Sequence, residues 1–563
     1  MADIADTGAA GPRRGAAVLL EVLRSEGVRH IFGNPGTTEL ALIDALAATP
    51  EIEYIWGLQE ASVVAMADGY AHASGRPGFV NLHTAGGLGH GMGALLNAKV
   101  ANTPLVVTAG QQDMRHILTD PLLAGDLVGI AGPAVKWGRE VTHPDQLPML
   151  LRRAFHDCTA APSGPVFLSL PMDVMERMSR VGIAEPSVID RAAVAGSLGR
   201  LSDILAGFAP GKVALIAGDE ISASNAAAET VLLAEALGAP VFGSSWPAHI
   251  PFPTSHPLWA GNLPSKASEI QAALAAYDAV LALGGKSLIT VLYTEGPAVP
   301  PGCTVMQLSA DVTDLGRTYA TALSMVGDIR ASLVALLPLL DRKLARHQAA
   351  IASLRQDAER RRHDRQAALR ERARAEFDAP ETTPLVAAEQ VARAVGPHVA
   401  IVDEAIATSL HLRSFLNSSS ARQYSFLRGG GLGWGMPAAV GTSLGLDRSP
   451  VVCLVGDGAA MYSPQALWTA AHERLPVTFV VMNNREYNVL KNFMRAQPHF
   501  LSARSNRFIA MDLVDPPVDF LALAASMGVP ARRVGSAADI AGAVEAGIAS
   551  GVPNLIELPI TAG

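Results

Sequence analysis

Short apolar runs, each closed by a polar or glycine-rich turn, alternate along this chain with longer segments of helical period. His30–Phe32, Ile52–Leu58, Phe79–His83, Leu105–Ala109 and Val166–Pro171 read as strands in the first third. Val213–Ala217, Val241–Phe242, Val280–Leu283 and Val305–Leu308 repeat the pattern in the middle. Val399–Asp403, Val451–Val455 and Val477–Met482 repeat it near the end. Continuous apolar runs of this kind suit parallel strands covered on both faces. Helices are expected from about Gly15, over Ser62–Ala73, around Asp145–Cys158, over Ser224–Leu237 and from Ser463 to Glu473. Such alternation predicts an α/β class with three doubly wound domains and mostly parallel sheets. The expected limits are 15–185 for the N-terminal domain, 191–340 for the middle one and 383–563 for the C-terminal one. Residues 341–376 form a charged linker helix between them. That stretch lacks Gly and Pro and is rich in Ala, Arg and Glu, so it predicts a long, mostly exposed helix with a thin apolar face of Leu344, Ile351, Leu354 and Leu369. Its Arg360-Arg361-Arg362 run reads as solvated rather than as a phosphate- or CoA-contacting cluster.

Composition narrows the function classes. A chain of 563 residues with 49% hydrophobic and 17% charged residues can bury several large cores. A net charge of −8 gives no electrostatic reason to expect nucleic acid. Cys158, Cys303 and Cys453 are far apart, with no CxxC pair, which predicts neither a disulfide framework nor a zinc site and fits a reducing cytoplasm. The opening residues carry early acids and no clean apolar signal core; a few disordered residues are expected there. No run of about 18 apolar residues predicts a membrane span.

The most informative stretch runs from Gly456 to Asn484. The run Val451–Val455 delivers Gly456-Asp457-Gly458 to a strand's C-terminal end, where the glycines admit a ligand close to the backbone. A second strand ends at Asn483-Asn484. Neighbouring parallel strands of a βαβ unit end on one edge of the sheet, so Asp457 and Asn484 converge. One carboxylate, one amide oxygen and a backbone carbonyl make half an octahedron for Mg²⁺, with phosphate oxygens and water completing it. A metal so held anchors a diphosphate.

Other chemistry gathers in the first third. Gly33-Asn34-Pro35-Gly36-Thr37-Thr38-Glu39 is a tight loop after a short strand. Glu60 begins an apolar helix; alone, it reads as an acid favoured by the helix dipole. His83 ends a strand and opens a glycine-rich turn that runs to His90. By itself, a lone His at a strand end is more often structural.

The GDG…NN spacing resembles the thiamine-diphosphate signature. The stretches NPGTTE, LQEASVVAMADGYA, NLHTAGGLGHGMGAL, TAGQQ, AVKW and GPVFLSLP look like the benzoylformate decarboxylase family of 2-oxo acid decarboxylases, over most of the chain. The resemblance implies pyrimidine-binding, middle and diphosphate-binding domains in that order, with thiamine diphosphate and Mg²⁺ as cofactors. It implies Asp457, Asn484 and the backbone oxygen of Glu486 as metal ligands, and Glu60 as the acid that exchanges a proton with the cofactor's pyrimidine. Gly430 offers its carbonyl to the amino group of that ring, and Leu432 props the cofactor into a bent shape. Gly456, Gly458, Tyr487 and Thr408 attend the diphosphate end. Thr408 stands where relatives place hydroxyls, while Ile406 and Ala407 depart from that pattern. Thr37 keeps the hydroxyl that holds the substrate carboxylate, and His83 takes the proton-transfer position. Leu122, Leu490, Phe493 and Val291 are expected at the substrate pocket, although Tyr487, Leu490 and Phe493 recur on one helical face and read equally well as core.

One departure stands out. The family's second active-site His comes from the middle domain, and its position in Gly284–Tyr293 holds Val291. His90 is a candidate substitute donor. The expected reaction is decarboxylation of a 2-oxo acid to an aldehyde and CO₂, with carboligation as a side or main activity. An acetolactate-synthase-like or 2-hydroxyacyl-CoA-lyase-like reaction is the alternative. The expected partners are a small 2-oxo acid or acyl substrate and further copies of the chain, in a dimer or tetramer. The middle domain shows no Gly-x-Gly-x-x-Gly after a strand; Gly433–Ala438 matches loosely, but after a loop. It therefore reads as a packing domain roofing the site rather than as a dinucleotide domain.

Overall fold

In the computed structural model, which describes residues 11–419 and 423–562, three six-stranded parallel sheets follow one another along the chain. The first holds His30–Gly33, Glu53–Trp56, Gly78–Leu82, Leu105–Gln111, Gly138–Glu140 and Val166–Pro171. Val213–Ala217, Val241–Gly243, Trp259–Asn262, Ala279–Leu283, Thr304–Ser309 and Leu323–Val326 make the second. The third is built from Ala400–Glu404, Tyr424–Phe426, Val451–Gly456, Val477–Asn483, Ala531–Arg533 and Asn554–Pro559. With the strands of each sheet counted in chain order, the first and third sheets share the spatial order 2-1-3-4-6-5, and the second has the order 3-2-1-4-5-6. In each sheet the chain crosses back past its first strand to extend the opposite side, and a crevice opens beyond the strand ends at that reversal. In the first sheet it lies past Gly33 and Leu82; in the third it lies past Glu404 and Gly456.

The burial pattern explains the sheets. Val166–Pro171, Val213–Ala217 and Val477–Asn483 are buried at every position, as strands covered on both faces must be. Helix Glu60–Ser74 is buried almost all round. It lies between the first sheet and helix Gly435–Gly445 of the third domain, and one cluster joins Phe32, Val63 and Met66 to Val440, Cys453 and Phe479. The two helices approach so closely that a Cβ on Gly441 would sit 1.8 Å from the carbonyl oxygen of Met66. A second cluster joins Leu215, Leu281 and Leu333 of the middle domain to Ile401 and Val480 of the third. Among the described residues, no helix is long and apolar enough to cross a membrane. The expected disorder of the first few residues falls outside the described part.

Several elements differ from expectation. His83–His90 is not a turn: Thr84–Val100 is one helix, entered through Thr84 at φ +46°. Leu88, Leu95 and Ala98 bury against the sheet and override the poor helix propensity of the glycines, of which Gly86, Gly89 and Gly93 face outward. The single helix expected over Ser463–Glu473 is shorter, Ala466–His472, and a separate turn of helix covers Asp457–Ala460. The linker is also broken. Asp341–Leu344 completes a helix begun at Ile329, Ala345–His347 is a 3₁₀ turn, and Gln348–Glu376 follows. Leu344, Ile351 and Ala358 all pack on the middle-domain core, a tertiary demand that a stretch free of Gly and Pro does not announce. Arg360 pairs with Asp357 on its own helix, as a solvated linker would have it.

Candidate functional site

At the crevice of the first sheet the chain gathers acids and imidazoles. Gly36 carries no Cβ where one would lie 2.2 Å from Nδ1 of His83, so the loop can lean directly on the imidazole. Glu39, at the end of the 3₁₀ turn Thr37–Glu39, accepts from the Gly36 N–H at 3.0 Å and from the Gly110 N–H at 3.1 Å. Its Oε2 lies 2.8 Å from Nδ1 of His83, and the Thr38 hydroxyl lies 3.1 Å from the same nitrogen. The hydrogen bond that His83 donates to Glu39 outweighs partial burial and raises the His83 pKa. Thr38, not Thr37, is the buried hydroxyl here; Thr37 is exposed on the rim of the crevice.

Glu60 begins its helix, buried, beside this pair. Asn34 donates to its Oε1 at 3.2 Å, and Nδ1 of His90 lies 3.2 Å from its Oε2. His90 sits nearly two turns into the next helix, with its side chain 68% exposed. Asn34, Glu39 and Thr38 are functional candidates that sequence reasoning passed over. A partial signal for Glu39 was present: an acid three residues into a helical turn can accept the N–H at its start, as Glu39 does from Gly36.

The second crevice holds the metal candidates. Gly456 pairs in register with Met482, which sets Asp457 and the Asn483-Asn484 turn side by side. Asp457 is buried; its Oδ1 accepts from the Gly458 N–H at 2.8 Å, and its Oδ2 is buried with no protein partner. Burial, reinforced by the nearby Glu486 charge, pushes its pKa up to about 6. Asn483 turns inward to Glu557 at 2.7 Å, while Asn484 accepts the Glu486 N–H at 3.1 Å. Arg485, at φ +58°, reverses the chain between them. A short antiparallel ladder pins the loop: Tyr487 N–H donates to Met511 at 2.8 Å, and Leu513 N–H to Arg485 at 2.8 Å. An orphaned carboxylate oxygen at a crevice, with an amide oxygen beside it, fits a hard divalent cation. Among the described residues there is no cluster of three or more His, Cys, Asp or Glu side chains, so a cation here rests on one carboxylate and on amide and backbone oxygens.

Between the first and third domains runs the loop Leu427–Trp434. Glu404, fully buried, accepts the N–H groups of Gly433 at 2.7 Å, Trp434 at 3.2 Å and Gly435 at 2.6 Å. It thereby caps helix Gly435–Gly445, and burial holds its pKa up at about 7 against those three donors. Gly429 N–H donates to Asn97 at 2.7 Å and Trp434 Nε1 to Asp68 at 2.8 Å, tying the loop to the first domain. Gly430 takes φ +75° and Leu432 stays partly exposed. Thr408 is buried at the start of helix Ser409–Phe415.

The remaining candidates do not meet within one chain. Leu122 (84% exposed), Val291 (43%) and Leu490 (44%) lie on the surfaces of three different domains, and Phe493 is half-buried. Val291 donates its N–H to Ser265 at 2.8 Å. No described hydrogen bond or ion pair joins Glu60 to Asp457, Asn484 or Glu486. A separate cavity of about 930 Å³ lies between the first and middle domains, lined in part by His72, Arg76, Glu220, Lys286 and Arg428; none of the candidate residues faces it.

Comparison with known proteins agrees with this architecture. Residues 13–127 match the model of the thiamine pyrophosphate enzyme N-terminal TPP binding domain, 210–336 the central domain and 407–558 the C-terminal TPP binding domain. The chain is 34% identical over 549 residues to benzoylformate decarboxylase of Pseudomonas aeruginosa, covering 96% of this chain and 97% of that one. An acetolactate synthase large subunit of Haemophilus influenzae is 26% identical, over 85% of this chain and 83% of that one. The solved structure of 4-hydroxybenzoylformate decarboxylase from Rhodococcus jostii superposes with a TM-score of 0.84 at 28% identity, covering 98% of this chain and 99% of that one.

Proposed function

Because this chain belongs to the thiamine pyrophosphate enzyme family, as a thiamine-diphosphate-dependent lyase of the 2-oxo acid decarboxylase kind, we propose that it converts a benzoylformate-like 2-oxo acid to an aldehyde and CO₂. The observation that carries the reading is the pairing of Glu39 with His83 beside Glu60, at the reversal point of the first sheet. Thiamine diphosphate, when bound, supplies a nucleophilic ring carbon and an electron sink for the pair released with CO₂. Asp457, Asn484 and the Glu486 carbonyl would hold Mg²⁺, and Gly456, Gly458, Tyr487 and Thr408 would attend the diphosphate. Gly430 and Leu432 would lie against the ring portion of the bound cofactor. Glu60, steadied by Asn34 and His90, would hold a proton on its carboxyl group for the pyrimidine of the bound cofactor. Thr37 and His83 orient the substrate carboxylate and keto oxygen, and His83, held by Glu39, returns the proton that replaces CO₂. Leu122, Val291, Leu490 and Phe493 line the substrate pocket.

Glu60 and Asp457 lie in different domains with no described bond between them, which supports a site shared between subunits, in a dimer or a tetramer. All three cysteines are free thiols, in keeping with a reducing cytoplasm.

A second reading is favoured by Val291, which leaves no imidazole at the middle-domain position. It is C–C ligation, as in acetolactate synthases, or cleavage of a 2-hydroxyacyl-CoA. A panel of aromatic and aliphatic 2-oxo acids and 2-hydroxyacyl-CoAs, assayed for CO₂, aldehyde and ligated product, decides between them. Benzoylformate should give CO₂ and one equivalent of aldehyde; turnover of the thioesters alone would overturn the decarboxylase reading.

A further inference from the structure

Two helices of the first domain reach the loop Leu427–Trp434 and hold both of its ends. Helix Glu60–Ser74 carries Asp68 about two turns after Glu60, and helix Thr84–Val100 carries Asn97 about two turns after His90. Oδ1 of Asn97 accepts the Gly429 N–H at 2.7 Å, and Oδ2 of Asp68 accepts the Trp434 indole N–H at 2.8 Å. A Cβ on Gly429 would lie 2.3 Å from that Asn97 oxygen, so the contact requires glycine. Between the two holds lie Gly430, Gly431, Leu432 and Gly433, with Gly430 at φ +75° and Gly433 at φ +95°. Glycine lends the backbone no stiffness, so the path of this segment is imposed by what grips its ends.

Keeping a carboxylate at Asp68 carries a cost. The side chain is fully buried, and burial pushes its pKa up to about 6. His72, 3.3 Å away, brings no compensating charge, because its own burial pushes its pKa down to about 4. Hydrogen bonds offset the cost instead: the Thr103 hydroxyl donates to Oδ1 at 2.7 Å, and the Trp434 indole donates to Oδ2. An apolar side chain would avoid the cost but could not hold the indole. No described hydrogen bond joins the loop to Asp457, Asn484 or Glu486.

We propose that Asp68 and Asn97 are positioning residues that fix the segment Gly430–Gly433 in the shape that receives the ring portion of the cofactor. Asp68 acts through Trp434 and Asn97 through Gly429. Losing either hold frees a glycine-rich segment, which must then be ordered at the moment of binding, and that ordering costs affinity. The loss falls on the ring portion of the cofactor and spares the diphosphate end, which other residues hold. This inference rests on the reading that Gly430 and Leu432 lie against that ring.

Calorimetric titrations of the whole protein at saturating Mg²⁺, with thiamine diphosphate and with inorganic diphosphate, separate the two ends without any activity assay. Trp434→Phe removes the indole N–H and keeps a ring, and Asn97→Ala removes the other hold. Each should bind thiamine diphosphate about tenfold more weakly, the worth of one hydrogen bond, and inorganic diphosphate within about threefold of the unmodified protein. Asp68→Leu should match Trp434→Phe, and the two together should lose no more than the larger single loss, since they break one contact. Asp68→Asn keeps an oxygen for the indole and should stay within about threefold of the unmodified protein. Trp434→Phe and Asn97→Ala decide the matter should Asp68→Leu fold poorly. Full thiamine diphosphate affinity in either of them, an equal loss for inorganic diphosphate, additive losses in the double variant, or an Asp68→Asn loss as large as that of Asp68→Leu would each overturn the proposal. Unmodified protein that binds thiamine diphosphate no better than inorganic diphosphate would remove the underlying reading itself, a result distinct from the other four.

Discussion

His83 and Glu39 are joined through one imidazole nitrogen: Nδ1 lies 2.8 Å from a carboxylate oxygen of Glu39, and that acid is 2% exposed. With Nδ1 committed, Nε2 is the end of the ring left to face a substrate. The contact raises the His83 pKa, so the imidazolium survives to higher pH than an ordinary histidine. Glu39→Gln should therefore lower that pKa. If protonated His83 is the active form, the basic limb of the kcat/KM profile moves to lower pH, and kcat falls by about 10²-fold, as loss of a tuned general acid does. A pH profile between 5 and 9 reads both effects; an unmoved limb assigns the limb to another group.

Glu60→Gln keeps the shape and the hydrogen bonds of the side chain but cannot exchange a proton. Turnover should drop by about 10²–10⁴-fold. Uptake of thiamine diphosphate, followed by quenching of tryptophan fluorescence, should stay within a few-fold of the unmodified protein. Unchanged turnover would dismiss Glu60 as the activating acid.

Chelation should strip the cofactor along with the metal, because a diphosphate next to Asp457 has no charge partner once the cation is gone. Dialysis against EDTA is expected to give apo-protein that regains activity only with Mg²⁺ and thiamine diphosphate together. Asp457→Ala should weaken Mg²⁺-dependent cofactor binding by more than tenfold. The thermal midpoint of the apo form should change much less, since the Asp457 Oδ2 has no protein partner to lose. Equilibrium dialysis and a thermal melt are the two measurements.

Glu404 links pH to stability. Its folded pKa of about 7 lies above the ordinary 4.5, so the folded chain binds the extra proton between those values. Its contribution is therefore full below pH 4.5 and is lost as pH rises through 7. Glu404→Gln also turns an amide N–H toward a backbone donor, at an expected cost of about 1–3 kcal/mol. The gap in thermal midpoint between the two proteins should narrow from pH 5 to pH 8. A gap that is constant or widens would place the titration elsewhere.

Much of the fold was legible because buried parallel strands write themselves as unbroken apolar runs. Val166–Pro171 and Val213–Ala217 lie where the pattern put them. Gly138–Glu140 and Trp259–Asn262 escaped, being short and only partly buried. Helix Thr84–Val100 was misread as a turn, since glycine propensity speaks locally while Leu88 and Leu95 answer to the sheet. In the site, Asp457 and Asn484 were legible because a fixed spacing between adjacent strands ends implies their meeting. Glu39 and Glu404 were not. Their partners, His83 and Gly433–Gly435, come from other strands and loops, 44 and about 30 residues away, and only the sheet order brings them together.

The first and third sheets repeat one strand order, and each has a crevice at the reversal past its first strand: Glu60, the proposed acid, stands by one and Asp457, the proposed metal ligand, by the other. The machinery is thus split into two separately breakable halves. If the halves that cooperate come from neighbouring copies, two dead proteins can repair each other. In a mixed assembly of Glu60→Gln and Asp457→Ala chains, one pairing inherits both defects and the opposite pairing inherits neither. Co-refolding the two inactive variants should then restore a fraction of native turnover, whereas a site housed wholly in one chain would stay silent at every mixing ratio.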